Sequence, residues 1–241
     1  MSGAEIITNK IQGIEPGMLF TYKDLSSENI SAESTLATLS RLTSKGMIKR
    51  FEKGVYFKPK KGTFGEVPVK ESQILTTLLY KNGKQVGYLT GAGVYNKMGL
   101  STQLTNYYTI ATKKARKPIN DGRIKVCFVK TYCEVSEENT GLLQLLDAIK
   151  DLKNILGSNA DAIISLIKIK FEKLSQDEKI KICELAIKYP PSVRAISGAI
   201  LECLGQTSIS SKLYNSLNDL SKYTIGIEEK TLPNKSKWKI K

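Results

Sequence analysis

Between residues 31 and 46 the chain reads SAESTLATLSRLTSKG, and Ala32, Leu36, Leu39 and Leu42 recur at spacings of four, three and three. That is the period of one face of an α-helix. Ser31 suits the start of this helix, because its hydroxyl can accept from an unpaired amide. Glu33 suits the positive end of the dipole, and Gly46 suits a left-handed residue just past the end. Upstream, AEIITNKIQ at 4–12 predicts a first helix stopped by Gly13, and after the turn at Pro16 and Gly17 a short second helix begins near Tyr22. Downstream, MIKRF and VYFKP are β-prone runs joined by Glu52, Lys53 and Gly54, which predicts a hairpin with a bulge. Three helices and then a hairpin is the order of a winged helix-turn-helix, in which the third helix enters the major groove and the hairpin meets the backbone.

KPKKGTFGEVPVK, with two prolines and two glycines, reads as a linker closing this unit. SQILTTLLYKNG then predicts a helix, GYLTGAGVYNKMGLSTQ a short helix bracketed by glycines, and NYYTIAT and RIKVCFVKTY two strands. From 140 onward, GLLQLLDAIKDLKNIL, ADAIISLIKIKFEKL, QDEKIKICELAIKY, PSVRAISGAILECLG and SISSKLYNSLNDLSK are successive amphipathic helices broken by Gly, Pro and Ser, and NKSKWKIK ends the chain as a Lys-rich tail. The expected class is α+β, mainly helical. Its expected sections are a winged helix-turn-helix at 1–61, an α+β section at 62–135 and a helical section with a basic tail at 136–241.

With 241 residues and 41% apolar content the chain can bury a core. No apolar run approaches the roughly 20 residues of a membrane span, and MSGAEIITNK has no apolar stretch like a secretory signal. A cytoplasmic protein without a membrane partner is expected. Cys127, Cys133, Cys183 and Cys203 show no CxxC spacing, and the chain has no histidine. Free, mostly buried thiols are therefore expected, with no metal and no cofactor. The net charge of +14 is uneven. Residues 1–135 hold 21 Lys/Arg against ten Asp/Glu, whereas 136–222 hold eleven of each. Such asymmetry predicts that one part faces a polyanion.

On the third helix Ser34, Thr38, Arg41 and Lys45 follow one another at spacings of four, three and four, with Thr35 beside them. Small hydroxyl residues can approach base edges, Arg41 can make a bidentate contact with guanine or phosphate, and Lys45 can neutralise the backbone. Every surface helix has a solvated face; Lys49, Arg50 and Lys53 on the hairpin add a second basic element where the fold predicts one. ATKKARKPI carries Lys113, Lys114, Arg116 and Lys117, which could continue the phosphate-binding surface, hold RNA, or form a solvated loop between strands. GAGVYNKMG does not match GxGxxG, and no GK[ST] phosphate loop occurs. Glu137 with Glu138 and Asp177 with Glu178 sit at helix starts, where the dipole accounts for them. With no acid/base constellation, the chain is not expected to be an enzyme.

The succession of LSRLTSKGMIKRFEKGVYFKP, GYLTGAGVYNKMGLSTQ and the basic strand region through RKPI resembles the AbiEi-like antitoxins of type IV toxin–antitoxin systems, a class of abortive-infection and phage-defence operons, over roughly residues 1–135. The resemblance implies a winged helix that represses its own operon by binding duplex DNA repeats in the promoter. It assigns Ser34, Thr38, Arg41, Lys49, Arg50 and Lys53 to DNA contact. It also implies a following domain, containing GYLTGAGVYNKMGLSTQ, that counteracts a nucleotidyltransferase toxin without necessarily binding it. The alternatives are a stand-alone transcriptional regulator and an RNA- or protein-interaction module built on the same scaffold; a weaker one is an enzyme with an Asp/Glu metal site.

Overall fold

Ser2 opens the first helix with a capping box: its side chain accepts from the Glu5 amide, and the Glu5 carboxylate accepts from the Ser2 amide at 2.7 Å. The computed structural model describes residues 2–26, 30–63, 65–81, 83–120, 124–157 and 159–241. Asn29, just ahead of the expected third helix, and Phe64, Asn82 and Arg123, which belong to the expected linker, following helix and second strand, lie outside the described residues. The chain is α+β, and it divides into two compact units, Met1–Leu78 and Leu79–Lys241.

The first unit runs α1 (Gly3–Gly13), β1 (Leu19–Thr21), α2 (Tyr22–Leu25), α3 (Ala32–Ser44), β2 (Lys49–Glu52) and β3 (Val55–Phe57). The strands form an antiparallel sheet in the order β1-β3-β2. Phe20 pairs with Tyr56 across it and their rings stack at 6.3 Å. These two rings join Ile7, Ile11, Leu25, Leu39, Leu42 and Ile48 in one core. The hairpin forms as expected, with its register shift between Arg50 and Glu52. β1 was not expected, because three residues are too few for an alternating pattern to register. The stretch expected as a linker is also structured: β4 (Lys60–Gly62) and β5 (Gly65–Val67) form an exposed hairpin, followed by α4 (Glu71–Leu79).

The second unit begins with the small hairpin of β6 (Tyr80–Lys81) and β7 (Lys84–Gln85), then β8 (Gly87–Thr90), α5 (Ala92–Lys97), β9 (Tyr108–Thr112), β10 (Ile119–Asn120) and β11 (Lys125–Lys130). Four of these strands form a sheet in the order β10-β11-β9-β8, with β9 and β11 parallel and the outer pairs antiparallel. Gly91, at φ +76 and ψ −166, makes the turn from β8 into α5 in backbone space that only glycine enters readily. The helices α6 (Glu137–Lys150), α7 (Ala160–Glu172), α8 (Gln176–Ala186), α9 (Pro191–Cys203) and α10 (Thr207–Asn215) follow, as the periodicity predicts.

Residues 195–201 of α9 are all buried, so this helix is the centre of the bundle. No boundary exists at 135/136. Tyr88, Tyr95, Leu100 and Ala111 of the middle section share a single core with Leu143, Leu146, Ile163 and Ile196 of the helices. Each section alone has one apolar face, and only together do they cover both. The Lys-rich ending is tied into the same core. Trp238 is buried, its Nε1 donates to Glu202 at 2.6 Å, and its ring meets Tyr214 edge-on at 5.4 Å. The ring lies against Gly198 on α9, where any Cβ would collide with it.

Candidate nucleic-acid interface and a buried carboxylate

α3 is fixed at both ends by the residues the sequence nominated. The Ser31 hydroxyl accepts from the Ser34 amide at 3.1 Å. At the other end Gly46, at φ +69, lets the Met47 amide reach back to the Leu42 carbonyl at 3.0 Å. The face it buries differs from the expected one. Thr35 and Thr38 are buried, at 0% and 5% exposure, whereas Leu36 is 45% exposed. The core stripe is Thr35, Thr38, Leu39 and Leu42, the i, i+3, i+4, i+7 set. Burying Thr35 is cheap because its hydroxyl donates to the Ser31 carbonyl at 3.1 Å and its methyl group serves the core. Thr35 and Thr38 are therefore not on the face that could meet base edges, and their assignment to DNA contact is corrected.

What α3 does expose is Ala32, Glu33, Ser34, Leu36, Ala37, Ser40, Arg41 and Ser44, with Lys45 exposed just past its end. Ala37, Ser40 and Ser44 were missed because small residues carry no signal in a charge or leucine pattern. On the hairpin that follows, Lys49, Arg50 and Lys53 are exposed. Lys49 pairs with Glu66 of β5, and the Arg50 Nε donates to the Glu52 carbonyl at 3.3 Å. Lys53 occupies the tip with Gly54, at φ +83. The first unit thus presents a helix face of small residues with Glu33 in its first turn, Arg41 in its last and Lys45 just past its end, continued in sequence by a basic hairpin. That combination suits phosphate contact around a groove-sized helix.

In the second unit Lys113, Lys114 and Lys117 are exposed and Arg116 is half-buried, its guanidinium 4.6 Å from the centre of the Phe128 ring. Lys113 pairs with Glu134. GYLTGAGVYNKMGLSTQ turns Tyr88, Thr90, Tyr95 and Ser101 inward and leaves Lys97 and Thr102 exposed. Tyr88 and Thr90 donate to one oxygen of Asp147 on α6, both at 2.8 Å, and Tyr189 donates to the other at 3.0 Å. Lys150 lies 3.6 Å from the same carboxylate, and Tyr95 donates to Asp151 at 2.7 Å. Burial pushes the Asp147 carboxyl above its usual range against the pull of Lys150 and the hydroxyl donors. Burial, with the neighbouring carboxylates, pushes the hydroxyls of Tyr88, Tyr95 and Tyr189 up as well. Both Asp147 oxygens are satisfied and the carboxylate is enclosed, so it ties β8, α6 and the end of α8 together. Sequence reasoning did not find it, because its partners lie 42 to 59 residues away.

Among the described residues no group of three or more His, Cys, Asp or Glu side chains is placed to hold a metal, and no helix is long and apolar enough to cross a membrane. The four cysteines are free, with Cys133 and Cys183 buried, Cys203 half-buried and Cys127 exposed.

No curated protein matches the chain. Among solved structures it is similar to the RV2827C protein from Mycobacterium tuberculosis, at 12% identity and a TM-score of 0.45, over 92% of this chain and 84% of that one. A family model matches residues 6–182, most of the first unit and more than half of the second. The chain belongs to that family, DUF6088, a family of unknown function.

Proposed function

We propose that this chain is a duplex-DNA-binding antitoxin that represses its own operon and counteracts a nucleotidyltransferase toxin. One observation carries the DNA-binding part. The element order α1-β1-α2-α3-β2-β3, with the sheet order β1-β3-β2, supports a winged helix-turn-helix reading, and Arg41, Lys45, Lys49, Arg50 and Lys53 are exposed on α3 and the hairpin of that arrangement. In this reading α3 enters the major groove with Ser34, Ala37 and Ser40 close to the bases and Arg41 making the bidentate contact, while Lys49, Arg50 and Lys53 hold phosphates. The antitoxin part rests on the resemblance of residues 1–135 to the AbiEi-like antitoxins. A cytoplasmic, non-catalytic protein fits both parts.

The test is a gel-shift series on the chain's own upstream region at graded salt. Log affinity should fall by roughly 0.9 per neutralised phosphate for each tenfold rise in salt. Absence of a shift even at low salt would defeat the DNA-binding part. Growth rescue of cells expressing a nucleotidyltransferase toxin encoded beside this chain tests the antitoxin part; failure of rescue with promoter binding intact would leave a plain transcriptional regulator.

A further inference from the structure

The second unit carries a row of cations that the duplex-binding reading does not require. We propose that this row, laid along β11, is a binding track for a single-stranded nucleic acid.

The topology builds the row. β9 and β11 are parallel, Lys130 stands opposite Thr112, and the Thr131 amide donates to the Thr112 carbonyl at 3.0 Å. The chain therefore leaves β9 at Lys113 beside the end of β11. It must then return to the other end, where Asn120 of β10 stands opposite Lys125. Residues 113–118 thus travel the length of β11 backwards, about 17 Å for the five steps from Lys125 to Lys130 at ~3.3 Å each. Two contacts mark the route. The Thr112 hydroxyl donates to the Lys114 carbonyl at 2.8 Å at the start, and Arg116 lies over Phe128 at mid-strand. Lys130, Lys113 and Lys114 consequently stand at one end, Arg116 in the middle and Lys117 toward the other, along the face of β11 that carries Phe128 and Lys130; Lys125, an odd number of residues from both, belongs to the opposite face.

The surroundings are equally one-sided. From Tyr80 to Lys130 the sequence has ten Lys/Arg and one Asp/Glu. The four lysines of the row, Lys113, Lys114, Lys117 and Lys130, are exposed, and Lys113 pairs with Glu134. One row of cations matches one phosphodiester backbone rather than the two that flank a groove. Aromatic surface accompanies it: Phe128 lies under the Arg116 guanidinium, and Tyr132, packed against the Tyr189 ring at 4.7 Å yet 45% exposed, stands just past the end of β11. Guanidinium planes and aromatic rings hold unstacked bases, which a duplex does not offer. RNA and single-stranded DNA share this chemistry, and the assay separates them.

The assay is fluorescence anisotropy on the full chain with a labelled 12-nucleotide U-rich RNA, the DNA of equivalent sequence, and an unlabelled duplex of that sequence as competitor. Single-strand binding should appear at low salt. The triple variant Lys114→Gln, Lys117→Gln, Lys130→Gln should lower the salt slope by about two, at roughly 0.7 per phosphate contact. Its melting curve, matched to the parent's, shows that the fold is kept. Tyr132→Ala should weaken binding about fivefold or more without changing the slope. The double variant Arg41→Ala, Lys53→Ala should leave single-strand binding intact, so that failure of the track and failure of the duplex reading are seen separately. Tighter RNA than DNA binding identifies RNA as the ligand, and equal binding supports a track for either polymer. No single-strand binding at low salt, an unchanged triple variant, or displacement by the duplex as effective as by the single strand would overturn the proposal.

Discussion

Replacing Asp147 by alanine removes an acceptor that three hydroxyls share. Tyr88 and Thr90 at 2.8 Å and Tyr189 at 3.0 Å lose their partner, and Lys150, 3.6 Å away, loses one of two counter-charges and keeps Asp151 at 3.5 Å. A hydrogen bond to a charged acceptor contributes about 1.5–3 kcal/mol, which sets the gross loss from three of them. The carboxylate's own desolvation cost, visible in its raised pKa, is relieved at the same time and offsets part of that loss. Breaking a buried ionic network by removing one partner costs about 3–5 kcal/mol, and that is the expected loss here. Asp147→Asn keeps one carbonyl acceptor, and the hydroxyls can rotate to accept from its amide, so it should cost about half as much. Urea unfolding followed by tyrosine and tryptophan fluorescence measures both; Trp238, the single tryptophan, reports on the second unit. The pH dependence adds a sign. A carboxyl whose folded pKa lies above its unfolded value contributes stability that is present below the unfolded pKa and is lost as pH rises through the folded one. The parent's advantage over Asp147→Asn should therefore widen as pH falls from 7 toward 4. An alanine variant within about 1 kcal/mol of the parent, or an advantage that shrinks on acidification, would refute this account of the cluster.

Three further outcomes are expected. Gly198→Ala and Trp238→Ala should each destabilise the second unit, the latter by about 3–5 kcal/mol for an emptied aromatic site, with thermal melting as the measurement. Arg41→Ala should cost about 1–3 kcal/mol of discrimination between promoter and scrambled duplex, whereas Thr38→Ala should lower the melting temperature and leave discrimination unchanged, since Thr38 is buried. On the alkaline side, the raised hydroxyls of Tyr88, Tyr95 and Tyr189 stay protonated in the fold while the unfolded chain ionises above its ordinary value of 10.0. Their contribution is complete below that value and should decline by about 1.4 kcal/mol per tyrosine per pH unit above it. Denaturant titrations at pH 10 and 11 measure the slope, and Tyr189→Phe should reduce it by about a third.

The sequence disclosed the long elements and concealed what joins them. The five helices after α5 were legible because each has an apolar stripe and a Gly, Pro or Ser stop. The cap at Ser31 and the turn at Gly46 were legible because each acts on backbone atoms three to five residues away. The buried side of α3 was misread by one position. A leucine pattern marks Leu36 for the core, but a threonine that returns its hydroxyl to the preceding turn is apolar enough to be buried, and Leu36 stays outside. The Asp147 cluster and the fit of Trp238 against Gly198 join residues 40 or more apart, a range over which periodicity says nothing. Of the candidate interface, the cations of α3 and the hairpin were found from charge and order alone, while Ala37, Ser40 and Ser44 needed the exposed face to be seen.

The fit between Gly198 and Trp238 makes two distant positions a single heritable choice. A chain that acquires a side chain at 198 must give up the large ring at 238, and a chain that loses the ring gains room for any small residue on the central helix. Selection should therefore keep or change the pair together. In the C-terminal stretch beyond residue 182, which the family model does not reach, glycine and tryptophan should travel as partners from one lineage to the next.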